Sequence, residues 1–270
     1  MSEIAGRRVL ITGAASGLGL LLAWKFARRG AHVVLWDLNA AGLEAARCDL
    51  EAAGWSVEIG VCDLSSYEAI EAGAASVLAR GPVDVLINNA GVVTGKTLLD
   101  ATPQEIERTF DVNVLALFWT TRAFLPAMLA RDSGHIVTMA SAAGIVGTSK
   151  LTDYCASKHA AVGFDESLRL ELRRLGSRFM TTVVCPFYVN TGMFKGVRTR
   201  FPAILPILDP ELVTDRIVDA IVRNKRRLIL PGVVRTAWAG RLLPLGAFDA
   251  IMEFLGINHS MDDFTGHADS

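Results

Sequence analysis

Seven short, β-branched apolar runs alternate with longer helical patterns along this chain of 270 residues, and the alternation predicts an α/β fold. Strands separated by helices are joined by right-handed crossovers, so we expect the strands to be parallel. We therefore predict a Rossmann fold, a doubly wound parallel seven-stranded sheet with helices on both faces. Because 51% of the residues are hydrophobic, the chain can bury one large core, and we expect a single domain over residues 1–270.

Each predicted strand is brief and is bounded by turn or polar residues. The predicted strands cover residues 8–12, 31–36, 56–61, 83–87, 135–139, 179–184 and 227–230. Helical patterns fill the stretches near residues 17–29, 39–53, 66–79, 103–131, 152–175 and 210–224. Open sheets of this kind bind ligands at the carboxyl ends of their strands, so residues that follow a strand are the candidates for function.

Charge and cysteine content argue against several classes of function. The formal net charge of -1 offers no basic field for nucleic acid. The four cysteines form no CxxC pair, so we expect reduced thiols and no metal site. Residues 1–8 lead into the first strand without a signal peptide or an apolar span of membrane length, so we expect a cytoplasmic protein. Peripheral contact with a membrane or lipid surface is the alternative that we rank lower.

A glycine-rich turn, Thr12-Gly13-Ala14-Ala15-Ser16-Gly17-Leu18-Gly19, joins the first strand to the first helix. Glycines let the backbone approach a pyrophosphate, and the helix N-terminus adds N–H groups and partial positive charge. The spacing departs from the general G-x-G-x-x-G fingerprint, and such a turn can also be purely structural. Our hypothesis is a dinucleotide site, with contacts from Gly13, Ser16, Gly17, Leu18 and Gly19.

Asp37 ends the second strand about twenty residues after the turn, where a carboxylate can accept hydrogen bonds from the adenosine ribose. The carboxylate would repel a 2′-phosphate, and no Arg or Lys directly follows it. Asp37 and its neighbour Leu38 therefore favour NAD over NADP. The alternative is that Asp37 only caps the next helix.

Two further strand ends carry candidate cofactor contacts. Asp63 and Leu64 follow the third strand, where Asp63 can meet the adenine amino group or cap a helix. The fourth strand ends in Asn88-Asn89-Ala90-Gly91, whose small residues leave room for a cofactor and whose asparagines can also stabilise the turn alone. The expected contacts are Asp63, Leu64, Asn89, Ala90 and Gly91.

Tyr154 and Lys158 lie four residues apart on a predicted helix and therefore share one face. A tyrosine pKa is ordinarily about 10, and a nearby ammonium lowers it, so the phenol can serve as an acid or base. Ser141, after the fifth strand, can hold a substrate oxygen beside Tyr154. Asn113 lies in an apolar helix, where it could hold a kink and a water that relays protons to Lys158. Singly, each is more often an ordinary core or loop residue, but the joint spacing makes that improbable.

Together, these motifs resemble the short-chain dehydrogenase/reductase superfamily over about residues 7–190. The resemblance implies four catalytic roles. Tyr154 would be the general acid/base, Lys158 would lower its pKa and bind the nicotinamide ribose, Ser141 would position the substrate oxygen, and Asn113 would support the proton-relay water.

The resemblance also extends to the end of the sixth strand. It implies cofactor contacts from Tyr154, Lys158, Pro186, Val189 and Thr191, and assembly as a homodimer or homotetramer. Phe187 departs from the family, which normally has glycine after this proline.

Residues 185–194 and 254–257 resemble a narrower branch, the retinol and 17β-hydroxysteroid dehydrogenases associated with membranes and lipid droplets. That branch often carries an N-terminal hydrophobic anchor, which we do not expect here. The apolar loop over about residues 187–210 could close over a hydrophobic substrate, or it could only complete the core. The candidate substrate contacts are Phe187, Tyr188, Met193 and Phe194.

The apolar segment over about residues 231–257 has three interpretations: a pocket wall, a subunit contact, or a surface helix on lipid. We rank contact within an oligomer above contact with lipid. The sequence as a whole predicts an NAD-dependent oxidoreductase for a hydrophobic secondary alcohol and its ketone, or for a retinoid-like alcohol and aldehyde. The alternative is a non-catalytic dinucleotide-binding or lipid-surface-associated protein on the same fold.

Overall fold

The structure is a computed structural model that describes residues 4–266. Its strands are β1 (Arg8–Thr12), β2 (His32–Asp37), β3 (Val57–Val61), β4 (Val85–Asn88), β5 (His135–Met139), β6 (Met180–Pro186) and β7 (Arg227–Leu230). All pair in parallel, in the order β3-β2-β1-β4-β5-β6-β7. The predicted Rossmann fold is confirmed, and every predicted strand end lies within two residues of the observed one.

Helices cover both faces of the sheet. They are α1 (Gly17–Ala27), α2 (Ala40–Ala52), α3 (Tyr67–Ala79), α4 (Pro103–Phe110), α5 (Ala116–Ala130), α6 (Thr152–Arg174), α7 (Pro210–Val222), α8 (Thr236–Gly240) and α9 (Leu245–Phe254). A π-helical turn, Asp111–Leu115, joins α4 to α5. Helices α8 and α9 fall in the apolar segment after β7, for which the sequence pattern gave no helix bounds.

The central strand β1 shows why the strands are continuous apolar runs in the sequence. All five of its residues are buried, because helices cover it on both sides. Val9 and Ile11 pack in one half of the core with Ile217 of α7, whereas Leu10 packs in the other half with Phe124 of α5. The alternation along β1 thus divides the core into two layers.

The sheet order places a crevice at the carboxyl end of β1. Strand β1 has β2 on one side and β4 on the other, so the chain leaves these neighbouring positions toward opposite faces of the sheet. This is the switch point at which open α/β sheets bind their ligands.

One stretch of the described chain, Pro103–Ala130, is long and apolar enough to cross a membrane by length and composition. In the fold this stretch lies against the sheet, and its Phe124 and Met128 are buried in the core. In its most apolar window 44% is buried, so packing in the core accounts for part of its hydropathy.

Candidate active site

A cleft of about 1020 Å³ opens at the carboxyl ends of the strands. Sixteen of the seventeen residues predicted to contact a cofactor line it. These are Gly13, Ser16, Gly17, Leu18, Asp37, Leu38, Asp63, Leu64, Asn89, Ala90, Gly91, Tyr154, Lys158, Pro186, Val189 and Thr191. Gly19, the remaining one, lies below the turn and does not line the cleft.

The glycine turn is pressed against the end of β4. A Cβ on Gly13 would lie 2.8 Å from the Cα of Ala90, and a Cβ on Gly19 would overlap the carbonyl oxygen of Gly13. Asn89 fixes this contact, because its Nδ2 donates to the carbonyl oxygen of Thr12 at 2.9 Å. Close backbone packing of this kind, on the floor of a cleft, fits the approach of a diphosphate.

The N-terminus of α1 is open to such a group. Its N-cap, Ser16, makes no side-chain hydrogen bond to the helix, whereas α2, α3, α4 and α7 all have side-chain caps. The first N–H groups of α1 therefore receive no acceptor from their own N-cap. Together with the glycine turn, this arrangement fits an anionic ligand.

The two aspartates at the strand ends do not cap helices. Asn39 caps α2 and Ser66 caps α3, so the capping alternatives for Asp37 and Asp63 were wrong. Asp37 accepts from the N–H of Ala15 in the glycine turn at 2.9 Å and from the N–H of Asn39 at 3.0 Å. Each Asp37 carboxylate oxygen keeps a further lone pair that a ribose hydroxyl could use.

Asp63 is held by its neighbour. Its carboxylate accepts from the backbone N–H of Ser65 at 2.9 Å and from the Ser65 hydroxyl at 2.7 Å. These hydrogen bonds lower the pKa of Asp63, so the side chain presents a fixed negative charge to the cleft.

Ser141, Tyr154 and Lys158 meet where β5 ends and α6 begins. The Lys158 Nζ lies 5.6 Å from the centre of the Tyr154 ring and donates to the carbonyl oxygen of Met139 at 2.9 Å. The Ser141 side chain favours the ionised form of the Tyr154 hydroxyl, and the Ser141 hydroxyl donates to the carbonyl oxygen of Pro186 at 3.4 Å. Tyr154 and Lys158 are 5% and 4% exposed, so this polar group is almost dry.

Burial dominates the electrostatics of this group. It raises the pKa of Tyr154, and the hydrogen bond with Ser141 opposes that shift only in part. It also lowers the pKa of Lys158 to about 8. We expected Lys158 to lower the Tyr154 pKa, but among the protein's own groups the loss of hydration outweighs any such effect. Without a cofactor, burial therefore sets the direction of the Tyr154 pKa shift.

Asn113 lies in the π-helical turn and is 1% exposed. Its Oδ1 accepts from the N–H of Val92 at 2.8 Å, while its Nδ2 donates to Val92 O at 2.9 Å and to the Ser157 Oγ at 3.0 Å. The side chain thus ties the segment after β4 to the helix that carries Tyr154 and Lys158. A Cβ on Gly91 would lie 3.3 Å from Asn113 Oδ1 and 3.4 Å from Lys158 Nζ, which places both groups at one spot.

A second cavity, of about 270 Å³, adjoins the cleft and is largely apolar. Ser141, Tyr154, Phe187 and Phe194 line both the cleft and this cavity. Tyr188 lines only the apolar cavity, and Met193 lines only the cleft. The hydroxyls of Ser141 and Tyr154 therefore stand at the junction between a polar crevice and an apolar chamber.

The segment after β7 supplies much of the apolar wall, which is one of the three roles that its sequence allowed. The lining residues Phe248, Ile251 and Met252 of α9, with its C-cap Leu255, follow the i, i+3, i+4, i+7 spacing of one helix face. That spacing was the sequence pattern from which an amphipathic helix could have been predicted. The outer face of the same segment is exposed, since Leu242 and Leu245 are 88% and 74% accessible.

One wall of the cleft comes from α4 and the π-helical turn, which the sequence motifs did not indicate. Its polar lining residues are Gln104, Glu107, Arg108 and Asp111. No motif marks them in the sequence.

The chain matches the family model of short chain dehydrogenases over residues 7–201. It is 46% identical to human epidermal retinol dehydrogenase 2 over 268 residues, which cover 97% of this chain and 86% of that protein. It is also 44% identical to human estradiol 17-beta-dehydrogenase 11 over 234 residues, covering 86% and 77% of the two chains.

Solved structures resemble the fold closely. A short-chain dehydrogenase/reductase from Burkholderia phymatum in complex with NAD superposes with a TM-score of 0.81 at 30% identity, over 90% of this chain and 95% of that one. A metagenomic short-chain oxidoreductase in complex with NADP gives a TM-score of 0.70 at 32% identity, over 84% and 96%.

Proposed function

The chain belongs to the short-chain dehydrogenase family and is an oxidoreductase that uses a nicotinamide dinucleotide, and we propose that it interconverts a hydrophobic secondary alcohol, or a retinoid-like alcohol, with its carbonyl compound. One observation carries this proposal. Ser141 and Tyr154 line both the polar cleft and the apolar cavity, so a substrate in the cavity meets a cofactor in the cleft at two hydroxyl groups.

In this proposal the protein's own groups orient the substrate and move one proton. A bound oxidised nicotinamide supplies the hydride acceptor and a positive charge. The Ser141 hydroxyl holds the substrate oxygen, and the Tyr154 oxygen takes the alcohol proton, or returns it in the reverse direction. The Lys158 ammonium, protonated below about pH 8, supports the phenolate. Asn113 holds the helix that carries both side chains, and we retain the relay water as part of the proposal.

The substrate class follows from the polar groups of the cavity. Away from the junction, the lining side chains with a hydroxyl are Thr148, Tyr188 and Thr236. Thr236 donates to Val233 O at 2.7 Å, and Tyr188 is hydrogen-bonded to Ser260 at 2.9 Å. The cavity therefore suits a molecule with one reacting oxygen and a hydrocarbon body.

A matched pair of substrates tests this proposal. A long-chain secondary alcohol is expected to be oxidised with NAD at a kcat/KM about 10²-fold above that of the same alcohol with a second hydroxyl at its far end. The reason is that burying a hydroxyl without a partner costs about 1–3 kcal/mol. Initial rates from the nicotinamide absorbance measure the ratio.

The variant Thr148→Val is the control for this experiment, because it removes the remaining hydroxyl while keeping the shape of the side chain. Its ratio should equal or exceed that of the wild type. Equal kcat/KM values for both alcohols in the wild-type protein would contradict the single-polar-end substrate. Absence of turnover with every alcohol and ketone would contradict the function as a whole.

Support for NAD as the preferred cofactor comes from Asp37. Its carboxylate lines the cleft beside the glycine turn and would repel a 2′-phosphate. The two structural neighbours were solved with NAD and with NADP, so the fold accommodates either cofactor.

We expect Asp37→Ala to lower the ratio of kcat/KM for NAD to that for NADP by roughly tenfold or more, since a charge-assisted hydrogen bond contributes about 1.5–3 kcal/mol. Steady-state kinetics with both cofactors measures the ratio. The control is Asp49→Ala on the exposed side of α2, which should leave the ratio unchanged. An unchanged ratio in Asp37→Ala would show that another residue selects the cofactor.

We further propose one NAD-binding domain over the whole chain, a homodimer or homotetramer, and a cytoplasmic location. Exposed apolar side chains on α5 and α6 support assembly: Phe118 and Leu170 are 45% and 50% accessible. Aromatic and aliphatic groups at such positions are typical of subunit contacts.

A further inference from the structure

The last described residues of the chain lie across the apolar loop of about residues 187–210, here called the substrate loop. Ser260 and Met261 are 3% and 1% exposed, so this segment is part of the core. Met261 belongs to one apolar cluster with Leu151, Tyr154 and Tyr188. A segment more than a hundred residues after Tyr154 thus helps to bury the catalytic end of the cavity.

We propose that residues 260–265, here called the strap, hold the substrate loop in its closed position, and that Ser260 and Phe264 are positioning residues for Tyr188 and Phe194. Tyr188 and Phe194 line the substrate cavity. The kinetic part of this inference rests on the proposed function, because it concerns how the substrate is held. The strap's effect on the loop itself does not depend on that function.

The strap is joined to the substrate loop by its backbone. The N–H of Arg198 donates to Ser260 O at 3.2 Å, and the N–H of Thr265 donates to Lys195 O at 3.0 Å. Between these bonds a Cβ on Gly196 would overlap the carbonyl oxygen of Asp263, and Gly196 has a φ of +88°. Only a glycine allows the two segments to approach this closely.

Ser260 accepts the hydrogen bond that the Tyr188 hydroxyl donates. The Ser260 Oγ donates to Ile257 O at 2.7 Å, so its single proton is used. It must therefore accept the hydrogen bond from the Tyr188 hydroxyl, which lies 2.9 Å away. This bond pairs the Tyr188 hydroxyl with the strap, so Tyr188 offers the cavity an already satisfied polar group.

Phe264 supports Phe194 in a chain of rings. A Cβ on Gly95, in the segment after β4, would overlap the Phe264 ring, so that ring fills the space beside this glycine. The Phe264 and Phe194 ring centres are 6.4 Å apart, and those of Phe194 and Tyr154 are 5.7 Å apart. Packing of neighbouring rings at these distances fixes the orientation of each ring.

Two ion pairs anchor the strap at its exposed edge. Lys150 pairs with Asp262 at 3.1 Å, and Arg198 pairs with Asp263 at 3.2 Å. Because surface ion pairs contribute little, we assign the positioning role to Ser260 and Phe264.

The kinetic test compares Ser260→Ala, Tyr188→Phe and the double variant. Each single variant is expected to raise KM for a long-chain secondary alcohol by about five- to tenfold, while kcat and the KM for NAD change less than about twofold. The double variant should be no worse than the poorer single variant, because both changes remove the same hydrogen bond. Ser177→Ala, which removes a serine hydrogen bond to Asp132 far from the site, should leave KM unchanged.

A second measurement follows the loop directly. Trypsin can cut the substrate loop after Lys195, Arg198 and Arg200. We expect cleavage there to be faster in Phe264→Ala than in the wild type, and close to the wild-type rate in Phe264→Leu, which keeps an apolar side chain in the space. Mass spectrometry of the early fragments identifies the cut sites.

Several results would overturn the proposal. One is that trypsin cleaves the loop of folded Phe264→Ala at the wild-type rate. Another is additive KM effects in the double variant, and a third is a loss of kcat with no change in KM in Ser260→Ala. If the wild-type protein turned over no alcohol, the proposed function would fail, and the cleavage rates would still decide whether the strap holds the loop.

Discussion

Replacing Tyr154 with phenylalanine is expected to lower kcat for alcohol oxidation by about 10²–10⁴-fold. The change removes the oxygen that exchanges the substrate proton and keeps the ring that packs against Phe194 at 5.7 Å. Among the described residues, no other tyrosine lines both the cleft and the apolar cavity, so no second phenol can take over this role. Initial rates with a long-chain secondary alcohol and NAD measure the loss.

The same variant should bind NADH with nearly wild-type affinity, as followed by nicotinamide fluorescence, since the cleft keeps its other lining residues. Tyr67→Phe is a matched control: Tyr67 is 41% exposed on α3, and its variant should keep full kcat. Turnover of Tyr154→Phe near the wild-type rate would remove Tyr154 from the proposed chemistry. If Tyr154→Phe lost NADH binding as well as turnover, the result would assign Tyr154 a role in cofactor binding only.

Replacing Gly19 with alanine is expected to weaken NADH binding by at least about tenfold and to destabilise the fold by about 1–3 kcal/mol. The added Cβ would overlap the carbonyl oxygen of Gly13 and lie 2.8 Å from Asn89 Nδ2, so the turn must move away from β4. Fluorescence titration with NADH and thermal unfolding measure the two effects.

Gly163→Ala provides the matched control for that change. Gly163 is exposed within α6, and its Cβ would meet nothing within 4 Å. This variant should gain about 0.5–1 kcal/mol of stability from helix propensity and bind NADH as the wild type does. If Gly19→Ala behaved like Gly163→Ala, the close contact between the turn and β4 would not be required for the cofactor site.

Much of the site could be predicted because it depends on local sequence. The glycine turn, Asp37, Ser141 and the Tyr154–Lys158 pair each follow a strand or share a helix face, and the order of the strands brings them to one edge. A parallel sheet converts positions after strands into neighbours in space. Periodicity and motif spacing are therefore sufficient to locate the cleft.

The remaining features depend on distant contacts. The turn motif includes Gly19, but its close packing against Gly13 and Asn89 is not visible in the sequence. The strap reaches the substrate loop from the end of the described chain and leaves no local pattern. Helix spacing also indicates that a lysine neighbours Tyr154 but does not indicate how completely the pair is dehydrated, and without a cofactor this dehydration raises the Tyr154 pKa.

Helix α9 was only partly predictable from the sequence. Its apolar residues show helical spacing, yet Gly and Pro in the surrounding segment interrupt the pattern and conceal the helix in the sequence. The structure uses its inner face as cavity wall and leaves Leu245 and Phe254 exposed outside. The apolar cavity therefore depends on a segment that the family model, which ends at residue 201, does not cover.

The central claim is that hydride passes between an alcohol in the apolar cavity and a nicotinamide in the cleft. Its most direct test uses a long-chain secondary alcohol that carries deuterium on the carbinol carbon, together with NAD and stoichiometric enzyme. We predict that mass spectrometry will find deuterium in the reduced nicotinamide with the wild-type protein and almost none with Tyr154→Phe. Reduced cofactor without deuterium, or no reduced cofactor from any hydrophobic alcohol tested, would contradict the claim.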